Sequence, residues 1–585
     1  MRSSIDVFSM INNILLKVFS GYLKEIEVSQ RDPLGFQKDW LARLLESGSN
    51  TAFGKEHCFN RFSFNNKHEY LQKLNYFQQN VPVRDYNAFV PYINRMRKGE
   101  DYVLWDQKVR WFAKSSGTSS DRSKFIPITP DALKINHYGG FQRMLSWYIA
   151  NNPASNLFKG KSLTLGGSVQ IDELGSGNCS YGDLSAILLK NSPALVEIVR
   201  TPKRETALIA DFNAKLEQIC KESSSQNVTN FSGVPSWNLI LLNKILEYTG
   251  KSNICQVWPN MELFMHGGTG FDPYRDIFKE LIPSDGMHYL ENYNASEGYF
   301  AFQDDLSQDS MLLTVNNGVF YEFIPMDIYD KVMSGLEYKL PTLEDVVTGV
   351  DYAVVITTCS GLWRYVIGDC VRFTSTFPHR IRITGRTQLC INAFGEELMI
   401  ANAEKALAQA CRQCNCSVSE FTAAPVFMTL RSLHGASATT CTTGTSSGNS
   451  GTSSGNSGTS SGNSGNSGTT GTSTGNSGTT GTTTGNSGTT GTTTKGYHRW
   501  AIEFSRPPED LESFASCLDS FLSDCNSDYA AKRSVDATMQ RLQIIPLPEG
   551  TFIRWMEKRN KLGGQNKVPR LHQTLQFIEE LTSLG

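Results

Sequence analysis

Residues 114–124 read "KSSGTSSDRSK", with seven Ser, Thr or Gly residues between two lysines, broken by one Asp and one Arg. A run so poor in bulk and so rich in hydroxyls lets backbone amides crowd round an anion, and the closing lysine adds a point charge. It is not a Walker loop, because Ser123 and not Gly precedes Lys124. Two readings stay open here: a phosphate cradle built from Ser115, Ser116, Gly117, Thr118, Ser119 and Lys124, and a plain Ser/Gly-rich surface loop.

Three later stretches bear on the choice. "ENYNASEGYF" (291–300) sets Glu297 between Ser296 and Gly298, as in a loop that orders a magnesium-bound phosphate. "GLWRYVIGDCVRF" (361–373) reads as a strand ending at Gly368-Asp369, where a carboxylate at the C-terminal edge can accept both hydroxyls of a ribose. "ITGRTQLCINAFGEEL" (383–398) follows at once and supplies Arg386 at the opening of a smaller domain. Each alone could be a turn. Their order is the specific feature.

The 585 residues, 39% of them apolar, suffice for one large core and at least one further domain. With 55 basic against 57 acidic residues and no Lys/Arg run, the electrostatic footprint of a nucleic-acid binder is missing. The segment "IDVFSMINNILLKVFSGYLKEIEV" (5–28) lacks a basic leader region and a small-residue cleavage site. Its apolar residues recur at helical spacing, as in an amphipathic helix laid on a core. No stretch of about 20 apolar residues exists, so no membrane span is expected. Thirteen scattered cysteines suggest free thiols in a reducing, cytoplasmic setting. "CRQCNC" (411–416) clusters three of them but has no second ligand pair at zinc spacing.

Residues 435–496 form a tract of Gly, Ser, Thr and Asn with repeated "GNSGTTGT" and no charge before Lys495. Such a tract cannot bury enough apolar surface to offset its ordering entropy, so a disordered, flexible coil is expected. "FTAAPVFMTL" before it and "HRWAIEF" after it both read as strands, which makes the tract an insertion in an expanded hairpin. Before about residue 386, helical patterns such as "DFNAKLEQICKE" alternate with strand-like "SLTLGGSV" and "MLLTVNNGVFYEFIP", as in an α/β domain. A smaller α+β unit follows, with helices near "NAEKALAQACRQ" and "DLESFASCLDSFLSD".

Taken together, "SSGTSSDRSK", "YNASEG", "RYVIGD", "GRTQLCINAFGEEL" and "GGQNKVPRL" (563–571) resemble, in order, the phosphate loop, second, ribose, hinge and lysine-loop signatures of the adenylate-forming superfamily. Within it, the chain is similar to the auxin-responsive acyl-acid amido synthetases of plants and their bacterial relatives, from about residue 30 to 575 without the insertion. It departs from them at Ser120 and Asp121, where plant members carry Gly-Gly, and at Gln388, where relatives often carry Lys.

The resemblance implies a large adenylate-forming domain over 1–384, made of α/β subdomains plus a β-barrel. A hinge at 385–389, near Gln388, would lead to a mobile α+β domain over 390–585. It implies that ATP and a small carboxylic acid bind to the large domain, with Mg²⁺ near Glu297. Tyr293, Ser296, Asp369 and Arg386 would join the Ser/Thr/Gly loop in holding the nucleotide. Lys567 would stabilise the transfer of the α-phosphate to the acid. An amine, expected to be an amino acid's, would then take the acyl group, with release of AMP and pyrophosphate. A monomer acting without nucleic acid or membrane is expected. Two alternatives stay open: a thiol acceptor such as coenzyme A, and a non-catalytic nucleotide-binding scaffold whose functional part is the low-complexity tract. Phe141, Met144 and Trp147 could line an acyl pocket, but their apolar character is equally what a core helix needs.

Overall fold

The computed structural model describes residues 17, 19, 21–61, 70–115, 124–172, 174, 179–272, 274–387, 390–391, 393–394, 396, 398–428, 495–533, 539–562, 567–572 and 574–584. Eleven strands between residues 161 and 386 form the main sheet. Its first half is parallel: Lys161–Thr164, Val228–Gly233, Leu263–Gly267 and His288–Ala295 lie side by side. Helices interleave with these strands because the chain carries clear punctuation. Asp211 caps helix Phe212–Ser223 through the amide of Ala214. Pro235 opens helix Pro235–Thr249, and Gly250 closes it in the left-handed region.

The second half is antiparallel and includes Val319–Pro325, Asp351–Thr358, Tyr365–Thr376 and His379–Arg386. Strands Val319–Pro325 and Asp351–Thr358 are almost wholly buried, which suits their near-continuous β-branched and aromatic sequences. The antiparallel strands thus continue the same sheet as the parallel ones. A separate four-stranded sheet holds Trp111–Ser115 and Lys124–Ile128, the two arms flanking the hydroxyl-rich loop.

Toward the C-terminus, strands Ser417–Met428, Lys495–Arg506 and Gln543–Leu547 are successive neighbours in a third sheet. The two segments flanking the low-complexity tract therefore do meet, while the tract itself, from 429 to 494, lies outside the described residues. Helices Ile400–Gln413 and Leu511–Cys525 pack through Ala403, Leu407 and Ala410 against Phe514, Leu518 and Leu522.

One buried apolar cluster joins the two ends of the chain: Phe231, Phe264, Phe271 and Phe278 share it with Ala424, Phe552, Trp555 and Ile578. Of the acyl-pocket candidates, Met144 is buried in a separate core cluster, whereas Phe141 is exposed and the Trp147 indole donates to the carbonyl of Asp304. Among the described residues no helix is long and apolar enough to cross a membrane. The "CRQCNC" thiols pair locally: Cys411 hydrogen-bonds Cys416, and Cys414 hydrogen-bonds Cys517.

Candidate active site

Strands His288–Ala295 and Gly298–Phe302 form an antiparallel hairpin whose register pairs Ala295 with Gly298. Ser296 and Glu297 are therefore the two residues of a tight turn, at the place where the sequence suggests a loop. Both are buried. The Glu297 Oε1 accepts from the Tyr365 hydroxyl at 3.2 Å. Burial pushes its carboxyl up, and Lys124 draws it back.

Asp369 corrects an expectation. It does not end its strand but sits within Tyr365–Thr376, directly opposite Arg386 at the end of His379–Arg386. Gly368 has φ +93°, a region open to glycine at little cost, and the register shifts between Cys370 and Val371. Such an irregularity re-aims a side chain without ending the ladder. Arg386 accordingly belongs to the main sheet and not to the opening of the smaller domain. Its Nε donates to Asp369 Oδ1 at 2.7 Å, and the Tyr293 hydroxyl donates to Oδ2 at 2.7 Å. Burial alone would raise the Asp369 carboxyl, but Arg386 and Tyr293 outweigh it and hold the group below the usual carboxylate range.

Ser115 and Lys124 close the base of the hydroxyl-rich loop, paired directly across the Trp111–Ser115 and Lys124–Ile128 strands. Ser116, Gly117, Thr118 and Ser119 lie outside the described residues, as does Gln388. The Lys124 ammonium stands 5.8 Å from the centre of the Tyr86 ring, and the Tyr86 hydroxyl accepts the amide of Phe125 at 2.7 Å.

Lys567, from the far C-terminal end, comes to the same place. It is half-buried, and its ammonium donates to the carbonyl of Gly268, just past strand Leu263–Gly267. Burial and the nearby Arg386 push it down to about 8, with Asp369 and Glu297 pulling the other way. Segments from four distant parts of the chain thus bring Glu297, Asp369, Arg386 and Lys567 within electrostatic reach of one another, with Lys124 reaching Glu297.

The donor set fits a nucleotide. Each Asp369 oxygen is used once from the protein side, which leaves a lone pair on each for a ribose hydroxyl. Lys124, Arg386 and Lys567 against Glu297 and Asp369 leave one positive charge in excess in this group. For magnesium, no group of three or more His, Cys, Asp or Glu side chains converges among the described residues. Glu297 alone is suited to the usual arrangement for this ion, in which one or two carboxylates act together with substrate phosphates.

Two participants escape a linear reading. Tyr365 lies in "RYVIGD", yet only the fold turns its hydroxyl onto Glu297. Gly268 shows no local pattern beyond "GGTG". The one sequence signal for either is the clustering of small residues just after a strand.

A sheet with parallel and antiparallel halves, followed by a smaller C-terminal domain, is the adenylate-forming fold. A solved acyl acid amido synthetase, titled AtGH3.15 in complex with 2,4-DB, superposes with a TM-score of 0.69 at 16% identity, covering 97% of this chain and 96% of that one. A 2-hydroxyisobutyryl-CoA ligase in the postadenylation state superposes with a TM-score of 0.51 at 13% identity, covering 94% and 91%.

Models of the GH3 family match in three successive pieces: its N-terminal domain over 22–287, its central domain over 312–386 and its C-terminal domain over 484–576. The chain belongs to the GH3 family. Among its relatives, the putative indole-3-acetic acid-amido synthetase GH3.9 of Arabidopsis thaliana is 24% identical over 422 residues, 60% of this chain and 69% of the relative. The 4-substituted benzoates-glutamate ligase GH3.12 of the same plant is 24% identical over 415 residues, 59% and 70%. The jasmonoyl–L-amino acid synthetase JAR4 of Nicotiana attenuata is 21% identical over 416 residues, 60% and 68%.

Proposed function

We propose that this protein is an acid–amino acid ligase: it adenylates a small carboxylic acid with ATP and passes the acyl group to an amino acid, releasing AMP and pyrophosphate. The observation that carries the reading is the docking of Lys567 on the Gly268 carbonyl, within electrostatic reach of Asp369, Arg386 and Glu297. A ribose-binding carboxylate and a mobile cation at one site are what the first half-reaction needs. The relatives named above carry amido synthetase or ligase names, which supports an amine as acceptor.

In this reading Asp369 accepts both ribose hydroxyls and is itself oriented by Tyr293 and Arg386. The hydroxyl-rich loop from Ser115 to Lys124, including Ser116, Gly117, Thr118 and Ser119, holds the β- and γ-phosphates. Ser296 supports the same nucleotide from the hairpin turn. Magnesium, held by Glu297 with phosphate oxygens, would neutralise charge on the leaving pyrophosphate. The acid's carboxylate attacks the α-phosphorus, and pyrophosphate departs while Lys567 balances the charge gathering on the phosphoryl oxygens.

The domain from 390 onward then turns about 385–389, near Gln388, and withdraws the lysine. An amine attacks the acyl carbon, the tetrahedral centre collapses, AMP leaves, and an amide remains. The enzyme works as a cytoplasmic monomer.

The test is acid-dependent exchange of pyrophosphate into ATP over a panel of carboxylic acids, followed by product analysis with an amino-acid mixture. Amide and AMP in equal amounts are expected. Exchange with consumption of coenzyme A and no amide would move the acceptor to a thiol. No exchange with any acid would leave a nucleotide-binding protein without catalysis.

A further inference from the structure

The segment that carries Lys567 ends on a cluster that the nucleotide chemistry does not use. Arg570 is only 3% exposed, three residues beyond the lysine. Its Nη1 pairs with the Glu404 carboxylate, its Nε donates to Glu420 Oε1 at 3.2 Å, and its Nη2 donates to the Tyr274 hydroxyl at 2.6 Å. Glu404 comes from helix Ile400–Gln413 and Glu420 from strand Ser417–Met428, both in the C-terminal domain. Tyr274 precedes helix Arg275–Leu281 of the N-terminal domain. Burial in a low-dielectric setting makes such a group costly unless every charge is bonded. Here the guanidinium is bonded on three sides.

We infer that Arg570, with Glu404, Glu420 and Tyr274, is a latch that positions Lys567 for adenylation. The inference rests on the ligase reading above. Two features tie the latch to the lysine. First, the lysine's segment moves with the latch, because Ala423 N donates to Arg570 O at 2.8 Å, His572 N donates to Ala423 O at 2.9 Å, and Thr422 Oγ1 donates to Pro569 O at 2.7 Å. Second, both grip one short loop: Lys567 donates to the carbonyl of Gly268, and Glu404 accepts from the amide of Gly270. A Cβ on Gly270 would overlap the Glu404 carboxylate, so only glycine allows this approach.

The latch is built to open. Arg570, Glu404 and Glu420 all belong to the C-terminal domain, so they stay together when that domain moves. Within the latch, what breaks is the bonding to the Tyr274 hydroxyl, which accepts from Arg570 and also donates to Glu420 Oε2 at 3.5 Å, and the bond from the Gly270 amide to Glu404, both made to neutral groups of the N-terminal domain. Within the latch no opposite charges are pulled apart, which would be the expensive step, and the ion pairs that Arg412 and Arg506 make with Asp276 and Glu280 are exposed.

Tyr274→Phe is the discriminating variant, because it removes one hydroxyl and leaves the ion cluster intact. Loss of a hydrogen bond to a charged group should lower kcat for acid-dependent pyrophosphate exchange by about tenfold. KM for ATP and for the acid should stay within about twofold, since the latch touches neither. Aminolysis of supplied acyl-adenylate should be unchanged or faster. In a Lys567→Ala background the same substitution should cost nothing further, because both changes remove one function. Gly270→Ala should reproduce the pattern and stands in if Tyr274→Phe misfolds. Equal loss in both half-reactions, or an undiminished cost in the Lys567→Ala background, overturns the latch. An active wild type with fully active Tyr274→Phe and Gly270→Ala overturns the latch alone. A wild type without exchange overturns the ligase reading and the latch with it.

Discussion

Asp369 and Arg386 stand 17 residues apart and meet because adjacent antiparallel strands put them in register. Lys567 meets the Gly268 carbonyl across 299 residues, and only because one domain is docked on another. The first contact is part of a sheet and persists as long as the sheet does. The second depends on an interface whose buried polar grip is at Tyr274 and Gly270, while its ion pairs, Arg412 with Asp276 and Arg506 with Glu280, are exposed. A group needed in every step can be built into the ladder, whereas a group needed in one half-reaction must be able to leave.

The strongest way to break this comparison is Lys567→Ala. Acid-dependent pyrophosphate exchange should fall by roughly a hundredfold or more, as loss of a preorganised charge typically does. Amide formation from supplied acyl-adenylate should survive within a few-fold. A parallel fall in both, in a variant that melts like the wild type, would put the lysine on the permanent side of the contrast.

Asp369→Ala should act at the other pole. Charge-assisted hydrogen bonds worth about 1.5–3 kcal/mol each are lost, so KM for ATP should rise by about 10- to 100-fold. Folding should change little, since Tyr293 and Arg386 remain within their strands. Unchanged nucleotide affinity with a clearly lower melting temperature would make Asp369 a structural residue instead.

The two poles should also differ in pH dependence. Lys567 is pushed down to about 8, so it carries its charge below that pH and loses it above. Exchange should therefore fall as pH rises through about 8, approaching tenfold per further unit. Asp369 is held below the ordinary carboxylate range, so KM for ATP should stay flat from neutral pH upward. Lys567→Arg, charged throughout, should flatten the falling limb of whatever activity it retains. A limb that persists in that variant would belong to another group.

The smallest effect is expected from deleting residues 437–494. Strands Ser417–Met428 and Lys495–Arg506 already neighbour each other, and closure entropy grows only with the logarithm of loop length. Melting temperature should stay level or rise slightly, with turnover nearly unchanged. A soluble, cooperatively folding deletion variant without activity would assign the tract a functional role.

Sequence alone was enough for features that are local in the chain. The glycine before Asp369, the acid between Ser296 and Gly298, and the alternation of apolar runs each constrain backbone over a few residues. Their order then pointed to an adenylate-forming enzyme. Local reading nevertheless misplaced one of them, because whether a Gly-Asp pair ends a strand or bulges within it depends on the neighbouring strand. The hairpin turn at Glu297 likewise depends on the register of its two arms.

What only tertiary structure decided is everything that needs two distant segments at once. Tyr365 on Glu297, Arg570 on Tyr274 and Lys567 on Gly268 are pairs without sequence spacing. A carboxylate's charge state is equally a product of assembly: isolated, Glu297 and Asp369 are the same kind of acid, yet burial raises one while Arg386 and Tyr293 hold the other down. Residue type is written into the chain, but dielectric, partner and distance are set only when the segments pack.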